Sequence, residues 1–384
     1  MIGRGRRALA GAAMILAAMM QVSPAAAESA SEWKCNASTD VPTDERIAAC
    51  TAVIVAGKYG RQGLMRAYFN RATAYSKNGD FERAVADYSQ VIGYYPKNMY
   101  AYFCRGFAYF RSGKLDRAIA DYTQAIQLNP NNHQAYHNRG AAYDQAGDHD
   151  SAMADYNQAI QLNPTGGHPY VGRGAVFYKK GDLDRAIADY QQAIRLDPKD
   201  KIALVYRATA YRAKGDVESA MADYDRLIEL DPNDAHAYRS RAIANLASSA
   251  AKSLADLDQS SALDPKDPYT ALWLEIVRKR NNQPSRLGEA TAQLDMTRWP
   301  APVIRLFLGQ MTPEAVLAAA EDPNPEKKKG QICEANFFGG ELALQHGVKE
   351  DAGRLLRLAS AGCPRNFIEW TAANSELRAL NLER

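Results

Sequence analysis

After residue 27 the sequence contains no uncharged apolar run near the ~20 residues a membrane-spanning helix needs, which argues against helical spans in the body of the chain. Excess charge is lacking too. The 47 Lys and Arg against 44 Asp and Glu include Arg4, Arg6 and Arg7. With residues 1–27 set aside, the two signs are equal in number. The basic stripe that nucleic acid requires is therefore missing, and Lys327, Lys328 and Lys329 read as a solvated loop between helices. Catalytic signatures are absent as well: no G-x-S-x-G, no P-loop and no H-E-x-x-H. The glycines of GKYGRQG (57–63) stand three apart, unlike a dinucleotide fingerprint. No catalytic residue and no cofactor is expected, and the chain reads as a non-enzyme.

What is present begins with MIGRGRRALAGAAMILAAMMQVSPAAAES. A positive start, a short apolar stretch and an A-x-A ending describe a secretory signal peptide over residues 1–27. A membrane anchor is the competing reading, but the apolar stretch is too short to span. Cys35 sits in EWKC, without the small apolar residues of a lipid-attachment site. The expectation is an exported, periplasmic protein with no stable membrane anchor after cleavage. The roughly 357 residues that follow exceed what one compact core usually holds.

A ten-residue phrase recurs: DYSQVIGYYP, DYTQAIQLNP, DYNQAIQLNP, DYQQAIRLDP and DYDRLIELDP, ending at Pro96, Pro130, Pro164, Pro198 and Pro232, 34 residues apart. With proline at position 32, position 8 is always Ala or Gly, position 11 is Tyr or Phe, position 15 is Gly, position 20 is Ala and position 24 is Tyr. Each unit reads as two short helices, the first stopped by glycine and the second by proline. Small residues at 8 and 20 permit close approach, and units must stack because neither helix buries its apolar face alone.

At these residues the sequence resembles the tetratricopeptide repeat (TPR) family. The resemblance implies an all-α, right-handed superhelical solenoid of helix-turn-helix hairpins with a helical C-terminal extension. Residues 65–234 hold five clean units, and a sixth ending at Pro265 is degenerate, with Asn245, Ser249 and Ser253 at its tyrosine, glycine and alanine positions. The expected organisation is a capping segment (28–64), six units (65–267), a helical connector (268–332), a seventh hairpin (333–366) and a C-terminal helix (367–384). ERIAACTAVI (45–54) resembles a second helix, with Cys50 in the position-24 slot. Thr312-Pro313-Glu314 reads as a helix start. The order TALWLE…WPAP…LFLGQMTPEAVL…CEANFFGGELAL…CPRNFIEW resembles the C-terminal half of NlpI-like bacterial envelope proteins. In the repeat register Cys333 takes position 1 and Cys363 position 31, adjacent ends of an antiparallel pair, so a disulfide is expected there. Cys35 and Cys50 are the remaining pair, and Cys104 is left as a buried thiol.

Position 7 is Arg71, Arg105, Arg139, Arg173, Arg207 and Arg241; position 23 is Asp87, Asp121, Asp155, Asp189 and Asp223. A ladder of arginines could bind an acidic ligand, but a partly buried guanidinium needs a partner, and the pattern reads as structural. Function is expected on the inner face of the first helices, at positions 2, 5, 9 and 12. These columns give an aromatic stripe, Tyr100, Phe103, Phe107 and Phe110, followed by His137, Asp144, His168, Val171 and Tyr178. The stripe suits an apolar or extended protein segment; the N-terminal segment or a second copy of the chain would serve equally as its cover. The NlpI-like resemblance implies an envelope partner such as a hydrolase or protease, with a homodimer left open. A different class of function, a repeat-built enzyme or metal-dependent binder, has its only foothold at His137 and His168. No acid or cysteine in register completes a zinc set there, so no metal is expected.

Overall fold

The computed structural model describes residues 30–36, 41–246, 249–365 and 367–382. The expected leader lies outside them. Twenty-one helices and no strand occur among the described residues, and none of these helices is long and apolar enough to cross a membrane. The chain divides into two compact units, Met1–Val176 and Phe177–Arg384.

In the first unit, the short helix Ala30–Asn36 and the helix Thr43–Ala56 precede the hairpins Arg61–Lys77/Phe81–Tyr94, Met99–Arg111/Leu115–Leu128 and His133–Ala146/His149–Leu162. The punctuation is local chemistry. Asn98, Asn132 and Asp148 cap helix starts by accepting backbone N–H bonds, which supplies acceptors for otherwise orphaned donors. Gly147 closes a first helix at φ +86°, a left-handed conformation that costs glycine nothing and other residues much. Tyr88, Tyr122 and Tyr156, at position 24, are fully or almost fully buried. A Cβ on Gly140 would stand 3.1 Å from the Tyr156 ring, and one on Gly172 would stand 2.5 Å from it. The ring is thus held between two glycines, one in its own repeat and one in the next. Cys35 and Cys50 are bonded as expected. Cys104 is a buried free thiol, its pKa pushed up to about 12 by burial.

The second unit contains Leu183–Leu196, then Lys201–Lys214/Val217–Leu230 and Ala235–Ala244/Ala250–Leu263. In the last hairpin the Arg–Asp separation is 15 residues rather than 16 (Arg241 to Asp256), which records the missing residue of the degenerate repeat. Beyond it come Pro268–Arg280, three short helices, the hairpin Pro325–Gln345/Lys349–Gly362 and the helix Ile368–Ala379. Trp273, Phe337 and Phe338 centre a large core here, which also takes in Ile304, Leu356 and the bonded Cys333 and Cys363. Thr312 caps Pro313–Ala319 as expected. Lys327, Lys328 and Lys329, however, lie inside the helix Pro325–Gln345, not in a loop. Asn324 accepts from Glu326 N and Lys327 N, and Pro325 occupies the first turn, so the helix starts well before Cys333.

Candidate partner-binding surface

A side chain committed to the framework cannot also hold a ligand, and the arginine column is committed. Arg139 Nε and Nη2 donate to both carboxylate oxygens of Asp155 at 2.8 Å, while Nη1 donates to Thr123 of the preceding repeat at 2.9 Å. Arg71 does the same with Asp87 and Thr51, and Arg105 with Asp121 and Ser89. In the second unit Arg207 grips Asp223, and Arg241 grips Asp256 and Asp225. Arg71, Arg105, Arg139 and Arg241 each tie two helices of one repeat to the second helix before it. Hydrogen bonding to the aspartate is the main cause holding all five above the ordinary arginine pKa. Tyrosines flank the guanidinium: Tyr136 and Tyr143 lie 5.7 and 5.9 Å from Arg139, within cation–π range. Arg173 donates to Asn157 at 2.6 Å. The structural reading of the column holds at the five Asp-paired arginines.

Position 5 is half structural. Phe69, Phe103 and His137 each face the position-24 tyrosine of their own repeat, with ring centroids 5.4, 5.9 and 5.7 Å apart. Phe103 packs against three neighbouring clusters, Tyr100 against the one around Met65 and Tyr88, and Phe110 against Ala118 and Tyr122. Phe107 lies 5.8 Å from the Arg111 guanidinium, which also covers Phe81. All four stripe residues are half-buried. The edges of the stripe are open, but Phe103 above all fills space between helices.

His137 faces His168 with centroids 6.2 Å apart. Burial, with smaller contributions from His168 and His133, lowers the His137 pKa to about 4, so it is a neutral ring against Tyr156 at ordinary pH. His168 is exposed and Val171 buried. Asp144 lies 3.1 Å from His149. Among the described residues no group of three His, Cys, Asp or Glu is placed to hold a metal ion.

Tyr178, in the second unit, does not face open space. Its hydroxyl donates to the backbone carbonyl of Arg365 at 2.7 Å, and burial pushes its pKa up to about 12. Among the open apolar side chains of this unit, Ile202, Val205 and Tyr206 share the helix Lys201–Lys214 and are 48%, 41% and 43% exposed. These are positions 2, 5 and 6 of the fifth repeat. Ile202 and Val205 stood in the expected columns and could have been named from the sequence. Arg212, at position 12 of the same helix, is buried beside Tyr224. Beneath it lies a group of buried acids. Glu334 accepts from Trp299 Nε1 at 2.6 Å and from Tyr269 at 3.0 Å, and Arg239 pairs with Asp267. Glu369 is 4% exposed; burial, then the nearby Glu334, raises its pKa to about 8 against the opposing pull of Arg239 and Arg212. Glu341, raised to about 7 chiefly by burial, shares Arg280 with Glu376.

Tetratricopeptide-repeat family models match residues 69–122 and 172–235, 108–147, and 133–165. Among curated proteins, the chain is similar to the lipoprotein NlpI homolog of Haemophilus influenzae, 28% identical over 130 residues. That match covers 33% of this chain and 41% of the relative's length. Among solved structures, a tetratricopeptide repeat protein from Parabacteroides merdae matches at 19% identity with a TM-score of 0.50, over 61% of this chain and 92% of the other. The C-terminal part of a TPR repeat-containing protein from Cytophaga hutchinsonii matches at 20% identity with a TM-score of 0.47, over 60% and 94%.

Proposed function

The chain is a tetratricopeptide-repeat protein, and from that premise we propose that it is a non-enzymatic scaffold holding an extended apolar segment of another protein on its first-helix face. One observation carries this reading. The framework positions satisfy one another, through Arg–Asp clasps and buried tyrosines, whereas positions 2, 5 and 6 change character between repeats and leave Ile202, Val205 and Tyr206 open. Burying such side chains stabilises a complex by roughly 1.5–3 kcal/mol each, before ordering costs. In the first unit the open edges of Tyr100, Phe103, Phe107 and Phe110, with His137, Asp144 and His168, offer a separate surface of the same kind. The two disulfides support a setting outside the reducing cytosol. The likeness to a lipoprotein homolog supports the cell envelope. The partner would then be an envelope protein, a hydrolase or protease being the class the resemblance favours.

Crosslinking capture from a periplasmic fraction, comparing wild type with Ile202→Asp/Val205→Asp, tests this. Loss of a captured protein with unchanged helical circular dichroism is expected. Capture of the same proteins by both forms would move the site off this face.

A further inference from the structure

Two buried position-12 residues and one half-buried position-5 residue of the second unit point to a segment already in place. Tyr178, Arg212 and Arg239 belong to three different first helices: Gly167–Lys179, Lys201–Lys214 and Ala235–Ala244. What meets them comes from one short stretch of the C-terminus. The Arg365 carbonyl accepts from Tyr178, the Arg365 guanidinium lies over Trp370 at 5.9 Å, and Glu369 lies within electrostatic reach of Arg212 and Arg239. Arg365 is outside any helix, and its guanidinium stands where a Cβ on Gly181 would intrude. Phe367 seats against Gly330, where a Cβ would come within 2.9 Å of the ring. A backbone carbonyl held by a tyrosine, an aromatic in a glycine-floored seat and a carboxyl within electrostatic reach of two arginines are the interactions by which a groove holds a peptide.

We propose that Tyr178, Arg212 and Arg239 form a binding site for a segment with an aromatic residue followed by an acid, which the chain's own Arg365, Phe367 and Glu369 occupy. A partner segment of that chemistry engages the site by displacing the C-terminal helix Ile368–Ala379. This deepens the scaffold reading and rests on it, but uses residues distinct from Ile202, Val205 and Tyr206.

The hold on Glu369 is conditional. Facing it are Glu334 from Pro325–Gln345, Arg239, Arg212 and the phenol of Tyr269. With a docked-state pKa near 8, the carboxyl is protonated at neutral pH. Docking is firmest below the ordinary glutamate value and loosens as pH rises through about 8.

The test uses the full chain and a labelled synthetic peptide, RNFIEW, copied from residues 365–370. Phe367→Glu puts a charge into the apolar seat against Gly330 and expels the internal segment. It is expected to bind the peptide at least tenfold more tightly than wild type does at pH 7. No gain in binding, with the variant's fold intact, overturns the proposal. Should that variant fail to fold, Glu369→Gln decides by hydrogen exchange. Protection of the Ile368–Ala379 amides, corrected for intrinsic rates, should fall between pH 6 and 9 in wild type and stay level in Glu369→Gln. Equal pH-independent protection in both overturns the proposal. Loss of peptide binding here, with capture through Ile202 and Val205 retained, sinks this inference and leaves the scaffold reading standing.

Discussion

The two units solve the same problem, burying charge inside a helical stack, in opposite ways. In Met1–Val176 the buried acids Asp87, Asp121 and Asp155 are each gripped by two guanidinium nitrogens. In Phe177–Arg384 the repeats keep that clasp at Asp223 and Asp256, but Glu334, Glu341 and Glu369 are raised in pKa because desolvation outweighs the help from their neighbours. A repeated clasp stabilises uniformly. An unequal set of buried acids makes one region sensitive to its surroundings, which suits a part that moves.

Arg139→Leu should break the comparison hardest. It leaves Asp155 buried without its partner, a loss of about 3–5 kcal/mol measurable by denaturant unfolding. A change below 1 kcal/mol would show that the clasp is ornamental. Cys333→Ser with Cys363→Ser should cost the second unit about 3.7 kcal/mol by the loop-entropy relation, read as a lower melting temperature of that unit alone. Gly172→Ala should cost about 2 kcal/mol, because the new methyl must push the Tyr156 ring out of a close-packed seat. An unchanged melting temperature would refute the tight seat inferred for that ring. Glu369→Gln acts in the opposite direction: at pH 8 it should raise the melting temperature of the second unit, since linkage then favours a neutral group there.

The pH dependence separates the units by sign. His137, lowered to about 4, gives the first unit stability that is full above the ordinary histidine value and lost as pH falls from about 6.5 to 4. Glu369 and Glu341, raised to about 8 and 7, give the second unit stability that is full below about 4.5 and lost as pH rises toward 8. Calorimetry from pH 4 to 9 should show the two transitions moving in opposite directions. Parallel movement would remove this distinction.

The hairpins were legible in the sequence because glycine, proline and the capping residues act locally, and the register they set brought Cys333 to Cys363 and Arg139 to Asp155. The site was less legible. Periodicity places Phe103 on a helix face, but it does not show that the ring of Tyr122, contributed by another helix, packs 5.9 Å from it. Tyr178 stood in the right column, yet its cover comes from Arg365, 187 residues away. The buried glutamates gave no local signal, because what raises them is packing by distant elements. Asn324-Pro325-Glu326 was readable by the same rule as Thr312-Pro313-Glu314 and would have corrected the lysine run.

The arginine clasp also gives the stack a direction. Arg105 donates its third bond to Ser89 and Arg139 to Thr123, always to the repeat made earlier. A chain that emerges amino-terminus first therefore presents each new repeat with a finished edge to close upon, and the order of synthesis matches the order of assembly.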